Sequence, residues 1–423
     1  MSSSVTTRQW LCKPTFALAV PSVPSRSLSK SSEGIKDKEN EVKGSAIFCF
    51  FARMCVFLHR FETNQRNERM KKSVFIGVMA MWVMLLVGCG KARVDDSYGY
   101  LYCHMSDRGE WTAYALSRDG VAWHDLIGGD SVFSAHELAR IEGGTRDAFI
   151  YRRHDNRGFL MVTTDMKVAV SHKWDNYGID LLTSDDLIHW QSTTFDFRKG
   201  PDIFVDAGTA PDFFADWSAI NRVWAPQIHW DADYRWPDGR RGGYFIYYSI
   251  WNRNEMGYDR MFYSYADETF TCLTKPQPLF DWGYATIDAD INYVPADGLY
   301  HMMIKKEGGK PGLFTATAPA LTGPWSEPDE EDYVNFEGNK KCEGVSAFQL
   351  FGDETWRVAY IEYSSHPKNY RICQADKYMR NFHDPVNIQG VASPQHGSFM
   401  RLTKEEYERL EAWSAAVMAQ REK

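Results

Sequence analysis

A short signature recurs five times between residues 117 and 382: a Ser, Ala or Thr followed, across a polar stretch, by an aromatic ring. Ser117-Arg118-Asp119-Gly120 leads to Trp123, and Ser184-Asp185-Asp186-Leu187 leads to Trp190. Ala266-Asp267 leads to Phe270, Thr317 to Gly323-Pro324-Trp325, and Ala375-Asp376 to Phe382. The spacings are 67, 82, 51 and 58 residues. Between the copies run short alternating strands broken by Gly, Asp and Asn, and no long amphipathic helical pattern appears before the end of the chain. A repeat of this length built from short strands predicts an all-β fold, a five-bladed β-propeller.

The interior of each unit supports that reading. A short strand opens the unit, a turn follows, and an aromatic strand returns. The openings are Arg146-Asp147-Ala148-Phe149, Trp224-Ala225-Pro226-Gln227, Ile287-Asp288-Ala289-Asp290 and Glu343-Gly344-Val345-Ser346. The fifth unit is split: His396-Gly397-Ser398-Phe399-Met400 would close the ring beside the strands from Tyr98 to Ser117, removing an exposed edge. A short C-terminal helix is expected at 403–420, where Thr403-x-x-Glu406 reads as a capping box. The innermost strands of a propeller line its axis, so the openers Asp147, Gln227, Asp288, Glu343 and His396 should converge at one mouth of the central tunnel.

Three of those five openers are acids. Two carboxylates facing one bond can hydrolyse a glycoside, one as acid and one as base or nucleophile. A third carboxylate nearby raises the acid's pKa by like-charge repulsion. The aromatic content of 15% suits both pleated sheets and sugar-stacking surfaces. Residues 89–423 carry 35 Lys and Arg against 50 Asp and Glu, an excess of acid that argues against nucleic acid and against a strongly anionic polysaccharide. Trp224 is a candidate wall of the sugar pocket, and Gln227, Asp165 and Lys305 are candidates for hydrogen bonds to hydroxyls. Gly143-Gly144 and Gly308-Gly309 lack the setting of a phosphate loop.

At these residues, over most of 98–415, the chain resembles glycoside hydrolase family 43, the five-bladed propeller enzymes that include β-xylosidases, α-L-arabinofuranosidases and arabinanases. The likeness rests on Arg146-Asp147, Trp224-Ala225-Pro226, Ile287-Asp288, Glu343-Gly344, His396-Gly397 and Ser184-Asp185-Asp186-Leu187-Ile188-His189-Trp190 in that order. It implies Asp147 as general base, Glu343 as general acid and Asp288 as the residue that tunes the acid and orients the sugar. It also implies inversion, with the acid and base about 6.5–9.5 Å apart to admit water. Two prolines of the family pattern are missing, since Asp147 is followed by Ala148 and Glu343-Gly344 by Val345. Glu142 is a nearby competitor for the base. His396 has two readings: a ligand for an ion such as calcium in the central tunnel, or a hydrogen-bonded structural residue. No organic cofactor is implied. The expected function is removal of arabinofuranosyl or xylosyl residues from plant-type saccharides. The alternatives are a propeller hydrolase acting on galactofuranosyl or anhydro-sugar linkages, and a propeller that binds glycan without cleaving it.

The amino-terminal part reads differently. Residues 1–69 are basic and Ser-rich and are taken as an upstream extension. Met70-Lys71-Lys72, an uncharged run to Gly88, and Leu86-Val87-Gly88-Cys89 resemble a bacterial lipoprotein signal over 70–88, with Cys89 taking the lipid and 89–97 as a linker. The expectation is an exported, lipid-anchored monomer, periplasmic or at the bacterial surface, touching membrane through that anchor alone. Its four further cysteines, Cys103, Cys272, Cys342 and Cys373, are read as buried free thiols in preference to disulfides, whose pairing sequence leaves open.

Overall fold

The computed structural model describes residues 94–423 apart from 308–312, 335, 337–339 and 366–367. The expected extension, signal segment and Cys89 lie outside the described residues. The chain enters through β1 (Gly99–Ser106), β2 (Trp111–Ser117) and β3 (Trp123–Asp125), three strands of a sheet that is completed later. The next sheet is β4 (Arg146–Arg152), β5 (Phe159–Thr164), β6 (Gly178–Ser184) and β7 (Gln191–Asp196). It is followed by β8 (Ile220–Arg235), β9 (Arg241–Asn252), β10 (Arg260–Ala266) and β11 (Gln277–Pro278). The fourth consists of β12 (Thr286–Val294), β13 (Leu299–Lys306), β14 (Leu313–Ala318) and β15 (Tyr333–Val334), and the fifth of β16 (Cys342–Gln349), β17 (Trp356–Glu362), β18 (Asn369–Ala375) and β19 (His383–Asn387). The last strand, β20 (Pro394–Leu402), pairs antiparallel with β1 and supplies the inner strand of the opening sheet.

Five four-stranded sheets, four of them entered at the inner strand and the first closed there by β20, make the five-bladed β-propeller that the repeat predicts. The recurring signature has a local cause. Each copy starts at the end of a blade's third strand and turns the chain towards the fourth. Ser117 Oγ accepts from the Gly120 amide at 2.8 Å, and Asp119 Oδ1 accepts from Val121 and Ala122 at 2.8 Å each. Ser184 and Asp186 repeat this arrangement with the amides of Leu187, Ile188 and His189. A short side-chain oxygen closing its own turn is what Ser and Asp do best.

The core lies between blades. Leu160, Val162 and Leu181 of one sheet pack with Ile228, Tyr244 and Ile246 of the next. Tyr100, Tyr102, Tyr114, Tyr247 and Tyr248 are fully buried, which accounts for much of the aromatic content. The terminal helix α1 (Lys404–Arg421) starts with the expected capping box and buries Tyr407 and Leu410 against the closing blade. Cys103, Cys342 and Cys373 are buried and Cys272 is half-buried, and none of the four is in a disulfide among the described residues.

Candidate active site

Four inner strands break register near their first residues, after Arg146, Trp224, Ile287 and Glu343. At each break a residue adopts a left-handed backbone: Asp147 at φ 52°, Ala225 at 49°, Asp288 at 54° and Gly344 at 60°. A bulge re-aims side chains, and a non-glycine residue held left-handed costs about 1 kcal/mol or more, so such strain persists where the surroundings hold it. The bulges correct one detail of the sequence reading. Asp147 and Asp288 occupy the left-handed position, whereas Glu343 is the residue before it and Gly344 takes the position itself. Only glycine fits there for a second reason: a Cβ on Gly344 would lie 2.9 Å from the His396 ring.

The acids and the histidine do meet. His396 Nδ1 is 3.5 Å from Asp147 Oδ1, and the Gly344 amide donates to Asp288 Oδ2 at 3.1 Å. Burial pushes Asp147 up, but the His396 imidazole beside it and the Arg146 charge hold its carboxyl below the usual range. Burial, aided by the charges of Glu343 and Asp147, lifts Asp288 to about 6 against the opposing pull of His396. Burial pulls His396 down, yet its pairing with Asp147 and the charges of Asp288 and Glu343 raise it to about 9. At neutral pH this is an ionised Asp147 beside an imidazolium.

His396 faces Asp147, and among the described residues no group of three or more His, Cys, Asp or Glu could hold an ion. An ion at His396 would therefore take its remaining ligands from water.

The remaining candidates separate. Lys305 is in the site, but its ammonium contacts Glu343 Oε2 at 2.5 Å and Glu307 Oε1 at 2.9 Å, so it binds the candidate acid and not an open surface. Burial opposes the Lys305 charge, but Glu343, Asp288 and Glu307 outweigh it and raise its pKa. Trp224 is half-buried at the bulge of β8, with the Arg222 guanidinium 4.5 Å from its ring. Gln227 does not line the mouth. It is 1% exposed, it accepts from the Tyr247 hydroxyl, and its amide nitrogen lies beside Asp290, short of hydrogen-bond geometry. The two residues between it and Trp224 form the bulge of β8.

Asp165 is also corrected. It is completely buried, and its two oxygens accept the amides of Ile141, Glu142 and Gly143 at 2.6, 2.8 and 2.9 Å. It pins the loop that leads into Asp147, and burial keeps it from any sugar hydroxyl. Glu142, the competitor for the base, caps the Lys167 amide at 2.9 Å. Replacing Asp165 by Ala strands three amide donors and should lower stability by about 2–4 kcal/mol, read as a fall in the urea midpoint. An unchanged midpoint would remove the anchoring role.

Sequence reasoning missed Asp290 and Glu307. Asp290 is 2% exposed, accepts from Asn292 and from the Ala347 amide of the next blade, and burial raises its carboxyl to about 7. The Asp288-x-Asp290 alternation was a visible signal, but the intervening bulge sends the two carboxyls to different partners. Glu307 follows β13 and becomes relevant only through Lys305, which no spacing reveals.

With this geometry in view, likeness to other proteins can be stated. A family model described as a probable glycosyl hydrolase domain matches residues 95–408. An α-L-arabinofuranosidase of Bifidobacterium longum subsp. longum is 25% identical over 257 residues, covering 55% of this chain and 22% of that protein. The chain thus spans under a quarter of the length of that curated relative. Among solved structures, a thermostable family-43 glycoside hydrolase gives a TM-score of 0.42 at 14% identity, over 63% of this chain and 82% of that one. A family 43 arabinoxylan arabinofuranohydrolase from Bacillus subtilis gives 0.45 at 15% identity, over 72% of this chain and 69% of that one.

Proposed function

The chain belongs to this family of probable glycosyl hydrolases, and from that premise we propose that it is an inverting glycosidase releasing arabinofuranosyl or xylosyl residues from plant-type saccharides. The observation that carries the proposal is the meeting of Asp147, Asp288 and Glu343 around His396 and Gly344 at the bulged ends of the inner strands. In this reading Asp147, ionised beside His396, takes a proton from the attacking water. Glu343 protonates the leaving oxygen, using the carboxyl oxygen that Lys305 does not hold. Asp288 sits on the Gly344 amide, so its charge bears directly on the Glu343 segment, and it is the group placed to tune the acid and orient the sugar. Trp224 walls the sugar. The likeness to an α-L-arabinofuranosidase favours arabinofuranose over xylose.

A panel of nitrophenyl glycosides tests the proposal. The protein should release nitrophenol from the α-L-arabinofuranoside, and proton NMR should show the inverted anomer forming first. Release from β-D-galactofuranoside alone would move the substrate class. Retention of configuration would end the water-activating role of Asp147, and silence with retained sugar binding would favour a non-catalytic propeller.

Export and lipid attachment at Cys89 complete the proposal. Their support is the Met70–Cys89 sequence pattern alone, and labelling of the expressed protein with a radioactive fatty acid, lost in Cys89→Ala, would test them.

A further inference from the structure

Trp174 presents a large apolar ring that folding leaves largely open. It is 54% exposed, yet the loop that carries it is braced on both sides. Upstream, the carboxylate of Glu110 receives the amides of Val168 and Ala169 at 3.1 and 2.8 Å. Downstream, Asp175 takes hydrogen bonds from Asn221 and Arg253 at 3.3 Å each. Asn176 is fully buried; its side chain donates to the Gly178 and Val223 carbonyls and accepts from the Val223 amide. Arg222 Nε donates to the Trp174 carbonyl itself at 3.3 Å. A large indole left open on a loop this well tied is pre-organised, and binding to it orders little that was free.

Its position relates it to the chemistry. The Arg146 guanidinium packs 5.2 Å from the centre of the Trp174 ring, and Arg146 directly precedes Asp147. The same Arg146 is ion-paired to Glu110, so the cation that supports the indole is held from the other side by the residue that braces the loop. Arg222 bonds the Trp174 carbonyl while its guanidinium lies 4.5 Å from the Trp224 ring and 4.6 Å from the Trp251 ring. Contacts therefore run from Trp174, through its carbonyl and Arg222, to Trp224, the wall proposed for the reacting sugar. Both guanidinium groups are already paired, Arg146 with Glu110 and Arg222 with Asp259. What remains for a ligand is a flat apolar ring.

We propose that Trp174 is a stacking platform for a neutral pyranose ring of the chain that carries the scissile sugar, so that the natural substrate is a branch on a pyranose backbone and not a free small glycoside. The inference rests on the glycosidase reading above. A pyranose chair offers an indole a flat face of C–H bonds, whereas a furanose does not.

Calorimetric titration of the full chain carrying Glu343→Gln, which keeps the ligand intact, tests it. Xylotetraose should bind, Trp174→Ala in that background should weaken binding by about tenfold or more, and Trp174→Phe should hold it within about threefold. The melting temperatures of the three proteins should agree, since the indole is exposed. Equal affinity in the Ala variant, no binding of xylotetraose, or tighter binding of arabinotetraose would each overturn the platform. Nitrophenyl glycoside hydrolysis by the unsubstituted protein reports on the catalytic reading alone, so the two can fail separately.

Discussion

Glu343→Gln should reduce turnover of an oligosaccharide by about 10²–10⁴-fold, the span of a lost general acid, and reduce it much less for a nitrophenyl glycoside. The difference lies in the leaving group. A sugar alkoxide must be protonated as the bond breaks, whereas nitrophenolate departs unaided. The substitution suits the site because Glu343 is 29% exposed and glutamine keeps its length. Lys305 loses a carboxyl partner at 2.5 Å but retains Glu307 at 2.9 Å, so the ammonium is not left unpaired. Stopped assays on both substrate types check this. Equal losses on the two would take the acid role from Glu343, and near-normal turnover on both would take it out of the reaction.

Asp147→Asn should cost as much, about 10²–10⁴-fold, but on both substrates alike, because the water must lose a proton whatever leaves. Asparagine is the correct probe for this position. The backbone there is left-handed at φ 52°, and Asn tolerates that conformation where a branched or bulky residue would add strain. The pH profile gives an independent check. The pairing with His396 holds Asp147 below the usual carboxylate range, so the wild-type enzyme should keep its base ionised as pH falls and lose it only below an ordinary aspartate value. His396→Gln should remove that support and move the acidic limb of kcat/KM upward. A profile unmoved by His396→Gln, or a loss in Asp147→Asn that depends on the leaving group, would contradict the base assignment.

How far the sequence reached can be judged from these residues. Four of the five turn signatures are local in the same way: Ser or Asp closing a turn on its own backbone needs no distant partner, so their recurrence marked the blades before any contact was known. The capping box of α1 was readable for the same reason. Asp147, Asp288, Glu343 and His396 were legible because inner strands of a propeller share an axis, and topology alone brings their ends together. Asp165 and Gln227 were misread, since an acid after an apolar strand, or an amide where one opens, looks the same whether it serves the fold or a ligand. Only the three amides around Asp165 and the Tyr247 hydroxyl against Gln227 distinguish the cases.

What the sequence by itself determined is therefore the architecture and the identity of the convergent acids, both consequences of short-range patterning repeated five times. The tertiary structure decided the rest: bulges that set Glu343 one residue apart from Asp147 and Asp288 in register, the ammonium on Glu343, and the imidazolium on Asp147. Charge state and side-chain direction depend on burial and on neighbours from other blades, hundreds of residues away in some cases, and no local pattern along the chain encodes them.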